Sequence, residues 1–482
     1  VMLIAFVIFY LVVTIAIGLW AARRVHSTAD YALAGRSLPL AVVIATTFAT
    51  WFGAETVLGV SARFASENLG AVVEDPFGAS LCLILVGLFF AFKLYQRNLI
   101  TLGDYYRQRF GRTIEIICSI IIILSYLGWV AAQVTALGLV FSLLMPDTVS
   151  MQGGMVIGTV VVLVYTLYGG MWSVAFTDFL QMIIITIGLL FIAWFAADLA
   201  GGAGRVIDYA ASEGKFQFFP GAEADGKKWL FFFAASITMM LGSIPQQDVF
   251  QRVMSSKDAK TAVRGPVIGG TLYFLFALIP MFIVTAAVLV LGDAGKTLLA
   301  DDPQKMLPTL VMEHMPIALQ VVFFGALLSA IMSTASATVL APATTFVENI
   351  LRNIYPDMSD AATLKAMRIS VVVVTGIVLA YAITMYGTSI YELVSGAYQA
   401  PLVGAFVPLV FGLYWKRANT QGALASIVLG LGTWLLFIMS PALKEAFPQQ
   451  LAGLLAALIG MVAGSLLTAP PQHHEGHAHK QF

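Results

Sequence analysis

The chain has 482 residues, of which 59% are hydrophobic and only 11% are charged, and its net charge is zero. A soluble protein would carry about 25% charged residues, so this composition and a mean hydropathy of +0.89 predict a polytopic membrane protein. The balanced charge leaves no basic stripe for nucleic acid, and the two cysteines, Cys82 and Cys118, support neither a disulfide framework nor a cysteine metal site.

Apolar runs of about 20 residues, the length that crosses a bilayer as a helix, occur thirteen times in the sequence. They lie at 1–22, 38–62, 71–92, 114–144, 152–170, 174–200, 228–251, 264–292, 316–350, 367–387, 390–414, 421–440 and 449–469. Most Lys and Arg residues fall in the loops that follow odd-numbered runs, which predicts an outside N-terminus and an inside C-terminus. The first run is expected to be a true span, because no cleavage-site pattern follows it.

Two of these runs are interrupted near their middle. The second contains TWFGAE at 50–55, and the seventh contains LGSIPQQD at 241–248. Glycine and proline can make simple packing kinks, but here each break carries polar side chains at the start of a five-helix unit. Unwound segments free backbone groups that bind ions and charged solutes at mid-membrane. Runs two to six and seven to eleven are therefore predicted to form inverted repeats.

These repeats predict a single transporter domain over residues 1–482. It contains an extra N-terminal helix at 1–22, one repeat at 38–201 and a second at 228–414. Two C-terminal helices follow at 421–469, and the histidine-rich tail at 470–482 is expected to be disordered.

The ninth run carries many hydroxyl side chains between residues 325 and 349. At 3.6 residues per turn, Ala330, Ser333, Thr334 and Ala337 share one face, which combines small residues with two adjacent hydroxyls. Such hydroxyls either bond back to the carbonyl four residues earlier or supply oxygen ligands to a small hard cation.

Several longer motifs resemble those of one family. They are Tyr31 to Ser37 (YALAGRS), Tyr165 to Gly170 (YTLYGG), Thr177-Asp178, Gln251-Arg252 and Ala330 to Thr334 (AIMST). In these motifs the chain resembles the sodium:solute symporter family, which includes sodium/glucose, proline, sialic acid and choline transporters. It is similar in particular to the high-affinity choline transporter and proline symporter branches.

The resemblance implies an all-α, LeuT-like fold built from inverted repeats of five plus five helices. It also implies a sodium site, for which the matching positions are the carbonyls of Ala49, Phe52 and Ala330 and the hydroxyls of Ser333 and Thr334. None of these oxygens carries an ionisable proton near neutral pH, which favours coupling to sodium rather than to protons.

Some family members have a second sodium site, and the matching residues here are Asp178, Ser333 and Ser336. Ala337 replaces a further serine, so an incomplete second site is expected. A carboxylate inside an apolar run is costly, which favours a functional role for Asp178. The alternative is a salt bridge near the inner interface.

The resemblance also points to a solute pocket, because choline transporters surround a quaternary ammonium with aromatic faces. Trp51 and Trp129 match two of these positions, but Gln246 replaces a tryptophan and Ala79 replaces a tyrosine. Half of the cage is therefore missing, which disfavours choline. Met239 replaces the asparagine of sugar transporters, which disfavours sugars as well.

The predicted solute-binding residues combine aromatic faces with carboxyl and amide groups. They are Trp51, Glu55, Asp75, Trp129, Gln246 and Gln247. This combination suits a small solute with an ammonium group, such as an amino acid, a betaine-like zwitterion or a small amine. The alternatives are interface anchoring for the two tryptophans and a solvated outer loop for Asp75.

The sequence thus predicts a sodium-coupled secondary active symporter of the plasma membrane that imports a small polar organic solute by alternating access. Its partners would be the solute, sodium ions and the lipid bilayer. The alternative is a transporter-like nutrient-sensing domain of a membrane signalling protein. An enzyme is disfavoured, because the sequence contains no nucleophile–base pair or phosphate-binding loop, and paired breaks disfavour a simple channel.

Overall fold

The computed structural model describes residues 1–470, so the histidine-rich tail lies, from residue 471 onward, outside the described residues. Within residues 1–470 the only β-pairing is an isolated bridge between Leu38 and Ser256. The first nine helices of eight or more residues are α1 Met2–Ala21, α2 Leu40–Trp51, α3 Glu55–Ser66, α4 Leu69–Tyr95, α5 Leu102–Phe110, α6 Arg112–Leu144, α7 Met151–Leu199, α8 Ala203–Ser212 and α9 Gly226–Gly242. The next nine are α10 Gln247–Ser255, α11 Ala259–Asp301, α12 Met306–His314, α13 Ile317–Ile354, α14 Asp360–Thr384, α15 Ile390–Gly404, α16 Phe406–Tyr414, α17 Thr420–Met439 and α18 Gln449–Leu466.

Many of these helices can cross a membrane. Nine of the described helices are long and apolar enough, or up to twelve if each of three bent pairs is one span. The bends are 53° between α2 and α3, 44° between α9 and α10, and 47° between α15 and α16. The first two bends lie at the breaks that the sequence predicts. The third was not predicted from the sequence.

Helix α7 has 49 residues and is interrupted at Gly170, whose φ of 49° and ψ of −130° are not helical. At 1.5 Å per residue its length is about 73 Å, more than twice the roughly 30 Å of a hydrocarbon core. A Cβ at position 170 would lie 2.4 Å from the carbonyl oxygen of Tyr31, so only glycine fits there. This interruption coincides with the boundary between the predicted runs 152–170 and 174–200.

Helix α13 lies at the centre of the molecule, where all residues from Ala326 to Thr345 are buried. It packs against α7, α6, α2 and α1. Its alanine, serine and threonine side chains are small, which allows neighbouring helices to approach closely. This packing brings the hydroxyl groups of α13 against the break between α2 and α3.

Candidate ion and solute site

The first break forms because the chain leaves the helical conformation at Phe52, with φ −87° and ψ 76°. Carbonyls in the last turn of α2 therefore lose their regular helical partners. A side chain of another helix stabilises the unwound segment, since the backbone N–H of Ala54 donates to Oε1 of Gln133 on α6 at 2.9 Å. The result is a buried segment with backbone carbonyls available for other ligands.

Three of the predicted sodium ligands meet at the hydroxyl of Ser333. Its Oγ donates to the carbonyl oxygen of Ala49 at 2.6 Å and also lies 3.0 Å from that of Ala330. One hydroxyl proton thus serves two carbonyl oxygens from two helices. Such a cluster of oxygens with too few protons is a favourable environment for a small hard cation.

The hydroxyl of Thr334 lies beside this cluster, against Gly53. A Cβ at Gly53 would lie only 2.5 Å from Thr334 Oγ1. This oxygen is buried and has no hydrogen-bond partner among the described residues. An unsatisfied buried hydroxyl next to freed carbonyls fits a cation ligand. Phe52 is buried in the same break, and the role of its carbonyl remains a prediction.

Asp178 belongs to a separate polar cluster that joins three helices. Its Oδ2 accepts a hydrogen bond from Thr46 at 2.6 Å and lies 4.0 Å from Nη2 of the buried Arg252 on α10. That guanidinium also donates to the Thr50 hydroxyl at 2.8 Å. Asp178 and Arg252 therefore form an ion pair that is fully buried. Ser336 instead donates to the carbonyl of Ser333 at 3.1 Å, and within residues 1–470 no hydrogen bond joins it to Asp178.

Glu55 is the first residue after the break and is fully engaged by α6. Its Oε1 accepts the indole N–H of Trp129 at 2.9 Å, and its Oε2 accepts from Nε2 of Gln133 at 2.6 Å. Both carboxyl oxygens act as acceptors, as an ionised carboxylate requires. Gln133 therefore connects the unwound backbone at Ala54 with the carboxylate of the next residue.

An aromatic cluster adjoins this carboxylate through Trp129. The rings of Trp51 and Trp129 meet edge to face at 5.6 Å, and Tyr126 stacks on Trp129 at 6.1 Å. Tyr398 on α15 also contacts Trp129, with 5.8 Å between the two ring centroids. Its hydroxyl is buried without a partner in the described chain. The predicted pair of tryptophans thus belongs to a larger aromatic cluster that contains two tyrosines.

The two breaks contact each other directly through Asp248. Its Oδ2 accepts the indole N–H of Trp51 at 3.0 Å, and its Oδ1 accepts the hydroxyl of Tyr126 at 2.5 Å. Its backbone N–H donates to the same tyrosine hydroxyl at 2.8 Å. Asp248 is fully buried and therefore connects the second break to the aromatic cluster.

Asp75 is buried rather than exposed in an outer loop, with 2% of its surface accessible. The hydroxyl of Tyr273 donates to its Oδ1 and is itself hydrogen-bonded to Thr56, the residue after Glu55, at 3.0 Å. Its Oδ2 has no partner among the described residues. Asp75 thus presents one free carboxyl oxygen in the region of the first break.

The two glutamines of the second break point to different parts of the molecule. Gln246 exchanges hydrogen bonds with Ser125 on α6, at 3.0 Å from Nε2 to Oγ. Gln247 instead accepts the backbone N–H of Leu102 at 2.8 Å and donates to the carbonyl of Ile100 at 3.3 Å. Gln247 therefore ties α5 to the second break, and its predicted contact with solute stays a prediction.

Sequence reasoning missed several residues of this cluster. Tyr126 and Gln133 lie three residues before and four residues after Trp129, on the same face of α6. That spacing would have been sufficient to find them. Tyr273 lies within the apolar run 264–292, where the sequence gives no comparable signal.

A cavity of about 740 Å³ lies beside the end of α3. Gly59, Arg63 and Tyr391 are among its lining residues. The hydroxyl of Tyr391 donates to the carbonyl of Ala71 at 3.3 Å, four residues before Asp75. Because the rings of Trp51 and Trp129 are each only 1% exposed, the cluster is closed to this cavity.

The profile of the sodium:solute symporter family matches residues 31–430. The chain belongs to the sodium:solute symporter family. It is 29% identical over 451 residues to the high affinity choline transporter 1 of Homo sapiens, covering 89% of this chain and 75% of that protein. It is 28% identical over 468 residues to the high-affinity proline transporter PutP of Bacillus subtilis, covering 94% of this chain and 96% of that protein. A Na+-coupled sialic acid symporter, solved in a substrate-bound outward-open state, has a similar fold with a TM-score of 0.86, at 18% identity over 98% of both chains.

These comparisons confirm the expected family and a LeuT-like transporter fold. The chain is a multi-pass membrane transporter, and its family and relatives support sodium-coupled symport. The comparisons do not favour the alternative of a nutrient-sensing domain.

Proposed function

We propose that this protein is a sodium-coupled secondary active symporter that imports a small, positively charged organic amine by alternating access. The observation that carries the proposal is the oxygen cluster at the first break. There, one serine hydroxyl is shared by the carbonyls of Ala49 and Ala330, next to the unpartnered hydroxyl of Thr334. The five proposed sodium ligands are Ala49, Phe52, Ala330, Ser333 and Thr334.

We propose one principal sodium site rather than two. Asp178 and Ser336 make their hydrogen bonds to different partners, and Ala337 has no ligating atom in its side chain. The ion pair between Asp178 and Arg252 joins α7 to the second broken helix. This pair supports a role for Asp178 in holding α2, α7 and α10 together while sodium binds nearby.

The charge balance of the residues around the two breaks favours a cationic solute. Four buried carboxyl groups, those of Glu55, Asp75, Asp178 and Asp248, share one buried guanidinium, that of Arg252. Unpaired carboxylates are costly inside a membrane, and one sodium ion would compensate only part of this excess. Within the range of amino acid, betaine-like zwitterion and small amine, the amine therefore fits best.

The chemistry of the lining favours an ammonium group that carries hydrogens. Aromatic faces such as Trp51 and Trp129 attract any cation, by about 0.5–2 kcal/mol each. The free Oδ2 of Asp75 is an acceptor and the free hydroxyl of Tyr398 can donate or accept, so both can bind an N–H group. A quaternary ammonium has no N–H group and would leave them unsatisfied.

The same geometry supports a transport cycle. Sodium and solute would enter through the cavity beside Tyr391, bind on either side of the first break, and leave on the opposite face after the helix bundles rock. We further propose that α7 crosses the membrane twice, divided at Gly170, which gives thirteen spans with the N-terminus outside and the C-terminus inside. The plasma membrane is the expected location.

The test is thermal stabilisation of the purified protein by a panel of small amines, amino acids, betaines, choline and sugars, in sodium and in potassium. A small amine should raise the unfolding temperature only in sodium, and Ser333→Ala should abolish this response. Ser329→Ala is the matched control, because Ser329 lies on the same helix but is hydrogen-bonded to Tyr10. If potassium serves equally well, or Ser333→Ala responds like the wild type, the proposed ion site is wrong.

A further inference from the structure

A second cavity, of about 920 Å³, lies at the other end of the molecule. Helix α4 begins at Leu69, close to the end of α3 that lines the entrance cavity, and its last turns contribute Lys93 to the second cavity. The cationic residues in its lining are Lys93, Arg97, Arg107, Arg109 and Lys416. Among the described residues the lining contains no aspartate or glutamate, so the cavity carries a concentrated positive charge.

Among these cations, Lys93 and Arg97 rest on aromatic rings instead of carboxylates. The Lys93 ammonium lies 4.6 Å from the ring centroid of Tyr414, and the Arg97 guanidinium lies 5.2 Å from that of Tyr105. A ring face attracts a cation without neutralising its charge. Both positive charges therefore remain available to an anion in the cavity.

Arg109 is fixed in the wall of the cavity by backbone groups. Its Nε donates to the carbonyl of Gly412 at 3.0 Å, and its Nη2 donates to that of Trp415 at 3.2 Å. Burial, with a further contribution from nearby Arg97, lowers the pKa of Arg109 below its ordinary value. Arg109 is thus a partly buried cation in the wall of the cavity, and an anion bound beside it would favour its charged form.

Ion pairs do not neutralise the five cationic side chains of this cavity. Arg107 is the only one of the five with a carboxylate within 4.0 Å in the described chain, at 3.9 Å from Oε2 of Glu115. Two helix starts add to the positive potential, since Gly111 precedes α6 and Thr420 begins α17. The first turn of a helix has free N–H groups and the positive end of the helix dipole, which favour anions.

The surroundings of the cavity are apolar and exposed. On α4, Leu88 and Phe92 are 58% and 52% exposed just before Lys93. At the end of α18, Leu467 is 85% exposed and adjoins Thr468, which lines the cavity. Exposed apolar side chains therefore flank the cationic cavity on two sides, an arrangement that suits acyl chains attached to an anionic headgroup better than a free anion.

We propose that this cavity binds the phosphate-bearing headgroup of an anionic phospholipid, from the leaflet on the side of the C-terminus. Basic loops often attract anionic leaflets without a defined site. The distinction here is that the charges converge on one concave cavity, which predicts binding that depends on these particular side chains. This proposal does not depend on the identity of the transported solute.

The test uses the purified full chain in neutral detergent, with phosphatidylglycerol, phosphatidylcholine of the same acyl chains and glycerol 3-phosphate as probes. Binding would be followed by native mass spectrometry and by thermal unfolding. Phosphatidylglycerol should bind and stabilise, and phosphatidylcholine should not. The double variant Arg97→Gln and Lys416→Gln should weaken phosphatidylglycerol binding at least about tenfold, since each basic residue near an anionic surface contributes about 1 kcal/mol.

The matched control is Lys257→Gln with Lys260→Gln. Both lysines are exposed, and the segment that carries them lies on the same face, because the hydroxyl of Tyr95 donates to the carbonyl of Ser256 at 2.8 Å. This control should bind phosphatidylglycerol like the wild type. Retention of sodium-dependent stabilisation shows that each variant is folded. If a variant unfolds, Lys93→Gln alone replaces it.

Two results would overturn the lipid site. Equal losses in the cavity variant and the control would show that attraction to the anionic lipid is diffuse. Binding of glycerol 3-phosphate as tight as that of phosphatidylglycerol would show that the occupant is a soluble phosphate compound instead of a lipid.

Discussion

Replacing Thr334 by valine tests the sodium site more sharply than any other single change. Valine has nearly the same shape but no hydroxyl, and Thr334 Oγ1 is buried with no partner among the described residues. An unsatisfied buried hydroxyl costs about 1–3 kcal/mol. Without sodium, Thr334→Val should therefore stabilise the protein by about 1 kcal/mol. With sodium, the same change removes a ligand.

The effect of Thr334→Val on sodium binding can be estimated in the same way. A hydrogen bond or similar polar contact to a charged group is worth about 1.5–3 kcal/mol, so sodium affinity should fall about tenfold to a hundredfold. At saturating sodium, a tenfold loss of affinity removes about 1.4 kcal/mol of ligand stabilisation. The variant should thus be more stable than the wild type in potassium and less stable in sodium.

The assay is thermal unfolding across a sodium titration, with potassium holding the ionic strength constant. Thr338→Val is the matched control, because Thr338 is buried one turn further along and its hydroxyl donates to the carbonyl of Thr334 at 2.7 Å. It should lose a little stability in both salts and keep the wild-type response to sodium. If Thr334→Val lowers stability equally in both salts, its hydroxyl has only a packing role and the ion site is wrong.

Two further predictions concern the solute and the inner face. Trp129→Phe keeps a ring but removes the N–H that binds Glu55, so the KM for solute uptake into proteoliposomes should rise about tenfold. The sodium affinity should change less than the KM for solute, and a loss of sodium affinity alone would contradict this assignment. Gln247→Leu removes both hydrogen bonds to Ile100 and Leu102, so amide hydrogen exchange in α5 should become faster. Unchanged exchange there would show that Gln247 does not hold α5.

Two of the three bends were predicted from the sequence, and the bend between α15 and α16 was missed. Glycine, proline and polar side chains mark the bends at 50–55 and 241–248. Pro401, Gly404 and Pro408 flank the bend between α15 and α16, but no polar side chain stands at its turning point, Ala405. There the hydroxyl of Tyr106 donates to the Ala405 carbonyl at 2.7 Å, a contact between residues 299 positions apart that a local pattern cannot reveal.

The same distinction applies to the site. The face of Ser333 and Thr334 is a local property of one helix, so its position against a neighbouring helix could be predicted. The carboxamide of Gln247 has the same polar character as that of Gln246, yet it binds the backbone of another segment. Backbone partners have no signature in the sequence, so only the structure distinguishes these two glutamines.

Gly53 explains how ion and solute sites of this kind can be coupled. A Cβ at this position would lie 2.5 Å from Oε2 of Glu55, 2.5 Å from Oγ1 of Thr334 and 2.9 Å from Oε1 of Gln133. Oxygens from three helices therefore converge on the space that a side chain would occupy, and one glycine separates a proposed sodium ligand from a proposed solute ligand. A sodium ion bound beside Thr334 would draw the break towards α13 and fix the position of the Glu55 carboxylate. Coupling of the usual size, about 1–3 kcal/mol, then needs no long relay, because both ligands order the same few residues of unwound backbone.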